Sequence, residues 1–313
     1  MTTDATFNEL FEALVSAGKL TTTVWPDELG APEDLGLRVV GQDILLRPGA
    51  ELLSVDDIGG ALSQRAASWL ASLEVHRVIG STNDRLMGIA DSGSVDGHVC
   101  LAELQTKGRG RRGRAWRSPF AGNLALSLGV MVDKALHELG GLSLVIGLGA
   151  LDCLRSLGVE DVALKWPNDI LLSGRKLGGI LVELQNRPAG RAQAVIGIGL
   201  NVDVPAGVQQ TIDQPLADLH GAGYSISRNL LAGRLVSCLV DYVKEFDAAG
   251  FAPMRDAFNE QHLFHQRACA ITQGETVVTG RVVGVTEVGE ILLETDSGTV
   301  AFGAGEVSLR QQE

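Results

Sequence analysis

The residues best suited to bind an anion are concentrated in one glycine-rich stretch. Six positive charges fall within eleven residues of a chain whose formal net charge is −12. They belong to Lys107, Arg109, Arg111, Arg112, Arg114 and Arg117. Gly108, Gly110 and Gly113 alternate with them, and glycine lets a backbone adopt positive φ and approach a ligand closely. Guanidinium groups and exposed amides bind phosphate and carboxylate groups. The stretch therefore predicts a loop that closes over an anion, and the alternative is a basic hairpin that only faces solvent.

Two known phosphate-binding motifs fit this stretch only in part. Its glycines have the spacing of a dinucleotide-binding fingerprint, but Pro119 interrupts any helix that would follow them. They also fit the first part of a P-loop. Arg114 and Ala115, however, stand where a P-loop has Lys and Ser or Thr. Both motifs are therefore excluded.

Three further segments combine reactive side chains with small residues. Residues 165–169 (KWPND) place a cation, an aromatic ring and a carboxylate at the end of a strand, and residues 176–180 (KLGGI) begin a strand with a lysine and two glycines. Residues 197–201 (GIGLN) repeat the small residues on a neighbouring strand. Glycine inside a strand allows a ligand or another backbone to pass close by. Taken singly, the segments fit a turn, a solvent-exposed lysine and a packed strand equally well.

Composition restricts the class of protein. With 313 residues, of which 45% are hydrophobic, the chain is long enough for two or three domains with a sizeable core. An excess of acidic over basic residues, 38 against 26, disfavours general nucleic-acid binding. The four cysteines are scattered without a CxxC pair, which indicates a reducing compartment and no structural zinc. The chain starts without a signal-peptide pattern, and residues 142–151, its longest apolar stretch, are too few to span a bilayer. We expect a soluble cytoplasmic protein that does not contact a membrane.

The middle of the chain alternates strand-like and helix-like patterns. Strands are predicted at residues 75–79, 99–104, 123–132, 162–166, 170–172, 177–184 and 194–202. Helices are predicted from an N-cap at Ser81 to about residue 90, and at residues 141–157, 227–246 and 254–262. This pattern predicts an α+β, or α/β-like, catalytic core in which helices cover one mixed sheet.

The two ends of the chain differ from the middle. Residues 1–18 have helical periodicity, and residues 37–40 and 43–46 resemble a hairpin, so residues 1–50 form a small N-terminal module. The tail contains short β-rich runs separated by glycines, at residues 268–272, 276–285, 290–294 and 299–302. Such a rhythm is typical of a small β-barrel. We predict a catalytic domain at residues 51–262 and a β domain at residues 263–313.

Together, the motifs resemble those of biotin protein ligases in order and spacing. They are residues 81–83 (STN), Gln105, residues 108–113 (GRGRRG), Trp116, residues 165–169, residues 176–183 (KLGGILVE) and residues 197–201. The resemblance extends into the tail, where residues 305–310 read GEVSLR. It implies an SH3-like C-terminal domain. It also implies a two-step reaction in which biotin and Mg²⁺-ATP give biotinyl-5′-AMP, and a lysine of a biotin carboxyl carrier protein domain then displaces AMP.

The resemblance also implies roles for individual residues. Lys176 would contact both the biotin carboxylate and the α-phosphate, and Asp169 would face the acceptor lysine unless it only caps a turn. Arg109 and Arg111 would anchor the loop that closes over the intermediate. Biotin would be bound by Ser81, Thr82, Asn83, Gln105, Arg109, Gly110, Arg111 and Lys176. The nucleotide would be bound by Arg114, Trp116, Asn168, Asn201 and Arg310. No dedicated protein site for a metal is implied, because Mg²⁺ would arrive with ATP.

The N-terminal module departs from the bifunctional members of the family, which carry a winged helix and repress transcription. Through Arg47 the chain has three basic residues against eight acidic ones, a net charge of −5. Pro26, Gly30 and Pro32 occupy the segment where a recognition helix belongs. We therefore expect a degenerate remnant or a docking surface, without sequence-specific DNA binding. The alternative functions are those of a lipoate-type protein ligase and of a biotin-responsive repressor. The oligomeric state is left open, and a homodimer is one possibility.

Overall fold

A computed structural model describes residues 4–209, 215–304 and 307–311. The N-terminal module consists of one helix and a small antiparallel sheet. Its elements are α1 (Asp4–Ala17), β1 (Lys19–Thr21), β2 (Arg38–Val40) and β3 (Asp43–Leu45), with the strand order β1-β3-β2. The predicted helix and hairpin are confirmed, whereas β1 was missed because three residues are too few to show periodicity. Three short 3₁₀ turns, at Thr22–Val24, Asp27–Leu29 and Pro32–Leu35, replace helices between β1 and β2.

The central sheet has seven strands. They are β4 (Ser72–Ile79), β5 (His98–Gln105), β6 (Asn123–Val132), β7 (Val162–Lys165), β8 (Asp169–Leu172), β9 (Arg175–Arg187) and β10 (Arg191–Asn201). Their order is β4-β5-β6-β10-β9-β8-β7, with β4 parallel to β5 and all other neighbours antiparallel. All seven predicted strands are present in this mixed sheet. Strands β9 and β10 extend beyond the predicted limits because a tight turn at Pro188–Gly190 joins them into one long hairpin.

Helices cover the sheet, as predicted. They are α2 (Val55–Gly60), α3 (Gln64–Trp69), α4 (Thr82–Ser92), α5 (Leu142–Ser156), α6 (Ala206–Gln209), α7 (Arg228–Ala249) and α8 (Arg255–Gln261). The apolar side chains of α5 and α7 pack together in the main core. Helices α3 and α6 were not predicted, because six and four residues are too few for a periodic pattern. Within the described ranges, no helix is long and apolar enough to cross a membrane.

The C-terminal part is a five-stranded antiparallel sheet. Its strands are β11 (Ala268–Gln273), β12 (Thr276–Val285), β13 (Ile291–Thr295), β14 (Gly298–Phe302) and β15 (Val307–Gln311), in the order β14-β13-β12-β11-β15. The sheet contacts the end of the central sheet. There the Leu263 amide donates to the Leu164 carbonyl, and the buried Trp166 indole donates to the Gly289 carbonyl at 3.0 Å. The C-terminal sheet is thereby held beside the KWPND segment.

Candidate active site

A cavity of about 390 Å³ lies where the basic stretch crosses the central sheet. It collects residues that are far apart in the sequence. Thirteen of the predicted site residues line it: Ser81, Thr82, Asn83, Gln105, Arg109, Gly110, Arg111, Arg114, Trp116, Asn168, Asp169, Lys176 and Arg310. Among the lining residues of the described chain, seven side chains are cationic and the Asp169 side chain is the one carboxylate. The cavity is therefore strongly positive inside an acidic protein.

Asn201 is the predicted site residue that does not line the cavity. Its side chain is buried and hydrogen-bonded on both atoms. Its amide nitrogen donates to the carbonyls of Lys176 at 3.4 Å and Ala217 at 3.0 Å, and its oxygen accepts from Asn123 at 3.2 Å. In this structure, Asn201 supports the backbone at the start of β9.

One end of the cavity is a buried cluster of neutral polar groups. It forms where β4 runs into α4, whose N-cap is Ser81 as predicted. The Thr82 backbone amide and hydroxyl both donate to the Gln105 side-chain oxygen, at 2.9 and 3.2 Å. The Ser127 hydroxyl lies 2.7 Å from Thr82 Oγ1 and 2.6 Å from Asn83 Oδ1. Because these groups are buried and neutral, the cluster suits a ligand that is polar but uncharged.

The basic stretch is a small hairpin rather than an open coil. Arg109 pairs with Ala115 in an antiparallel bridge, and the Trp116 amide donates to the Gly108 carbonyl at 2.9 Å. A 3₁₀ turn at Arg111–Gly113 forms its tip. A Cβ on Gly108 would lie 2.7 Å from the Trp116 carbonyl oxygen, so glycine is required there for the close approach. The backbone pairing of this basic hairpin therefore fixes the position of its arginines over the central sheet.

Arg111 lies over the KWPND segment. Its guanidinium donates to the Asn168 side-chain oxygen at 3.3 Å. Burial lowers the pKa of Arg111, and the nearby Arg112 lowers it further, although an arginine keeps its charge in proteins. A partly desolvated guanidinium binds an incoming anion more strongly than one that is fully hydrated.

Lys176 occupies the centre of the site. Its ammonium forms an ion pair with Asp169 at 2.8 Å and lies 5.9 Å from the centre of the Trp116 ring. The indole packs on Gly199, where a Cβ would approach it to 2.6 Å. The small residues of the GIGLN segment therefore make room for the aromatic ring. The Trp116 indole nitrogen is buried and has no hydrogen-bond partner within the described chain.

Lys165 and Arg112 line the cavity, although neither was assigned a role from the sequence. The Lys165 ammonium lies 5.6 Å from the centre of the Phe264 ring, and burial lowers the pKa of Lys165. Its place at the start of KWPND was the signal that could have identified it. Arg310 belongs to the C-terminal sheet, so that sheet and the central sheet both contribute to the cavity wall.

A metal site is poorly supported by the side chains of the cavity, since Asp169, its single carboxylate, is already paired with Lys176. Outside the cavity, Glu74, His76 and Cys100 bring ligand-type atoms within 4.8 Å of one another. Arg85, however, donates two hydrogen bonds of 2.9 Å to the Glu74 carboxylate. Its positive charge opposes a cation at that position.

Comparison with known proteins agrees with the geometry. The model of the biotin/lipoate A/B protein ligase family matches residues 75–202, and that of the biotin protein ligase C-terminal domain matches residues 265–310. The bifunctional ligase/repressor BirA of Escherichia coli is 37% identical over 286 residues, which cover 88% of this chain and 87% of the relative. The biotin–[acetyl-CoA-carboxylase] ligase of Mycobacterium tuberculosis is 35% identical, covering 77% of this chain and 90% of the relative.

Comparison with solved structures also finds a biotin protein ligase. A biotin protein ligase from Aquifex aeolicus, in complex with biotin and ATP, superposes with a TM-score of 0.65 at 27% identity. The match covers 78% of this chain and 100% of that one. With the cavity, both family models and the relatives in agreement, the chain belongs to the biotin protein ligase family.

Proposed function

We propose that this protein uses ATP to form biotinyl-5′-AMP and transfers the biotinyl group to one lysine of a biotin carboxyl carrier domain. One observation carries the proposal: Lys176, the basic hairpin and a neutral polar cluster surround the same cavity. A carboxylate and a phosphate repel each other, and a cluster of cations offsets that repulsion. The same cations stabilise the charge on the equatorial oxygens in the transition state.

The neutral cluster is the proposed site for the biotin head group. That group is polar and uncharged, and it offers both hydrogen-bond donors and an acceptor. The buried Ser81, Thr82 and Asn83 and the partly buried Gln105 provide partners of both kinds. A buried polar site discriminates strongly against a ligand that leaves its groups unpaired.

In the adenylation step, the Lys176 ammonium lies between the biotin carboxylate and the α-phosphate. One carboxylate oxygen attacks phosphorus, and pyrophosphate leaves with the electrons of the broken P–O bond. Arg114 and Arg310 provide further positive charge at the cavity wall, and Trp116 packs against the adenylate. Arg111 and Gly110 at the tip of the basic hairpin retain the product until the acceptor arrives.

In the transfer step, the acceptor lysine attacks the acyl carbon of biotinyl-5′-AMP. An amide bond forms, and AMP leaves. Asp169 is the carboxylate at that position, and it orients the amine or accepts its proton. Its ion pair with Lys176 at 2.8 Å holds the carboxylate in place in the absence of substrate. Asn168, which also contacts Arg111, lies beside it on the nucleotide side.

Mg²⁺ is proposed to enter as the complex with ATP. Asp169 is paired with Lys176, so the nucleotide phosphates are left as the main ligands of the ion. Such an ion neutralises phosphate charge when bound. Mg²⁺ commonly keeps several waters and is held by phosphates with few protein ligands.

Biotin is proposed as the substrate rather than lipoate. The matching catalytic model describes both groups of ligases, whereas the C-terminal model describes biotin protein ligases. The exchange of labelled pyrophosphate into ATP, measured with either biotin or lipoate present, tests which of the two is the substrate. Exchange should require biotin, and lipoate should not replace it at equal concentration. Exchange supported by lipoate alone would reverse the assignment.

For the rest of the molecule, we propose the division expected from the sequence: a module at residues 1–50, a catalytic domain at residues 51–262 and a β domain at residues 263–313. The module has the element order of a winged helix, but 3₁₀ turns stand in place of its second and third helices. Its net charge of −5 opposes contact with phosphates. We therefore propose that the module is a remnant of a winged helix that does not recognise an operator. Formation of a homodimer stays an open alternative.

A further inference from the structure

Arg109 is a cation of the cavity whose two terminal nitrogens each contact a carboxylate. Its Nη1 lies 2.6 Å from Asp84, in the first turn of α4. Its Nη2 lies 2.8 and 3.0 Å from the two oxygens of Glu183, on β9. The hydrogen bonds with Glu183 raise the pKa of Arg109. Two negative charges beside one positive charge leave this corner with a net charge of −1, which is unsuited to binding an anion.

Glu183 is itself fixed from a second direction. Its Oε2 accepts a hydrogen bond of 2.7 Å from the Asn83 side chain, whose oxygen accepts from Ser127. Asn83 packs against Gly197, where a Cβ would lie 2.3 Å from the Asn83 oxygen. One carboxylate thereby joins the first strand of the basic hairpin to the neutral cluster of the cavity.

We infer that Glu183 is a positioning residue that holds Arg109, and with it the base of the basic hairpin, against α4 and β9. Arg109 pairs with Ala115 across the hairpin, so holding Arg109 also sets the other strand. The turn that carries Arg111 and Arg112 then faces the cavity. Arg109 acts through this contact rather than as an anion-binding group. The effect of this contact on catalysis rests on the proposed function, whereas its effect on the position of the basic hairpin does not.

Hydrogen exchange without any ligand tests the structural part. Glu183→Gln keeps the size of the side chain and removes the charge. A partly exposed, charge-assisted contact corresponds to about 5- to 30-fold in an equilibrium. Exchange at residues 108–116 should therefore become faster by about that factor, while β5 and β6 exchange as in wild type. Glu160→Gln, at an exposed glutamate, serves as the matched control and should change nothing. Unchanged exchange at residues 108–116, or equal acceleration throughout the central sheet, would overturn the inference.

A double-mutant cycle with biotin and ATP tests the catalytic consequence. Glu183→Gln and Arg109→Gln should each raise the KM values and release biotinyl-5′-AMP about 5- to 30-fold faster, with kcat for adenylation within about twofold of wild type. Both variants break the contact between Arg109 and Glu183, and Arg109→Gln also loses its contact with Asp84. The double variant should therefore be no worse than Arg109→Gln alone. Effects that multiply, or a fall in kcat alone, would contradict the positioning role. If the wild type forms no biotinyl-5′-AMP, the proposed function fails while the exchange result still stands.

Discussion

At the scale of residues, the proposed chemistry depends on where Lys176 holds its charge. The ammonium pairs with Asp169 and faces the Trp116 ring, so a substrate bound in the cavity would meet it in a fixed position. About a fifth of each paired side chain is exposed, at 22% and 23%. A single accessible contact, unlike the network of Arg109 with Asp84 and Glu183, contributes little to stability, so an incoming anion can share Lys176 at small cost. The ion pair therefore serves orientation more than folding.

Removing that charge should stop the first step. Lys176→Ala should lower kcat/KM for adenylation by about 10²- to 10³-fold, the usual loss when one group that stabilises transition-state charge is removed. The measurement is biotin-dependent pyrophosphate exchange. Lys107→Ala removes an exposed lysine from the base of the basic hairpin and is the control, because Lys107 does not line the cavity. Equal losses in both variants would show that only the overall positive charge matters.

Lys165 should make the site sensitive to alkaline pH. Burial lowers its pKa from the usual 10.5, so as the pH rises Lys165 loses its charge before an exposed lysine does. Affinity for ATP should therefore fall as the pH rises toward about 10. Lys165→Arg should keep the charge and move this loss to higher pH. Titration calorimetry between pH 7 and about 10 measures the shift. If the affinity for ATP depends on pH in the same way in wild type and variant, Lys165 does not contribute to anion binding.

At the scale of elements, α1 completes the outer edge of the central sheet. Asn8 accepts hydrogen bonds from the backbone amides of Arg77 at 3.0 Å and Val78 at 3.1 Å, both on strand β4. Phe11 stacks on Phe120, with ring centroids 4.6 Å apart. Phe120 follows the basic hairpin in the chain. The N-terminal module is thus packed against strand β4 and against the segment that leads out of the site.

Asn8→Ala should destabilise the protein by about 1–3 kcal/mol, because two partly buried amides lose their acceptor. Denaturant unfolding measures the change. Glu9→Ala, at the next and exposed position of α1, should change the free energy of unfolding by less than about 0.5 kcal/mol. If both variants unfold alike, the contact between α1 and β4 contributes nothing to stability.

Sequence patterns predicted the elements better than their contacts. Alternation and helical periodicity indicated all seven central strands and the longer helices, because burial of one face leaves a repeating pattern. The contact between Arg109 and Glu183 could not be predicted from the sequence, because the two residues are 74 positions apart and any nearby acidic residue could have been the partner. Asn201 is predicted to bind the nucleotide, and the sequence alone does not reveal that the backbone carbonyls of Lys176 and Ala217 accept hydrogen bonds from its amide.

At the scale of the whole molecule, the charge distribution matters more than the total charge. The chain carries −12 overall, yet seven of the cationic side chains that the structure describes meet at one cavity. A focused positive field attracts small anions, while the acidic exterior repels nucleic acid. Arg310 joins the cavity from the C-terminal sheet, so the catalytic and β parts must stay associated for the site to be complete.

DNA binding should accordingly be weak and non-specific. Fluorescence anisotropy with duplex DNA should show binding that disappears as salt rises from about 50 to 200 mM, as expected for a few phosphate contacts. An operator-like sequence from a biotin-synthesis promoter should bind no better than a scrambled duplex. Tight binding to the operator alone, retained in about 200 mM salt, would show that the N-terminal module still reads DNA.

The most direct measurement is the mass of an acceptor after the complete reaction. The protein is incubated with ATP, Mg²⁺, biotin and a purified biotin carboxyl carrier domain, and intact-mass spectrometry follows the carrier. A carrier whose acceptor lysine is replaced by arginine is the control. The account predicts a mass increase of one biotinyl group on the carrier, none on the control and none without ATP. A carrier that stays unmodified while the protein binds biotin and ATP would contradict the central claim that this cavity transfers biotin to protein.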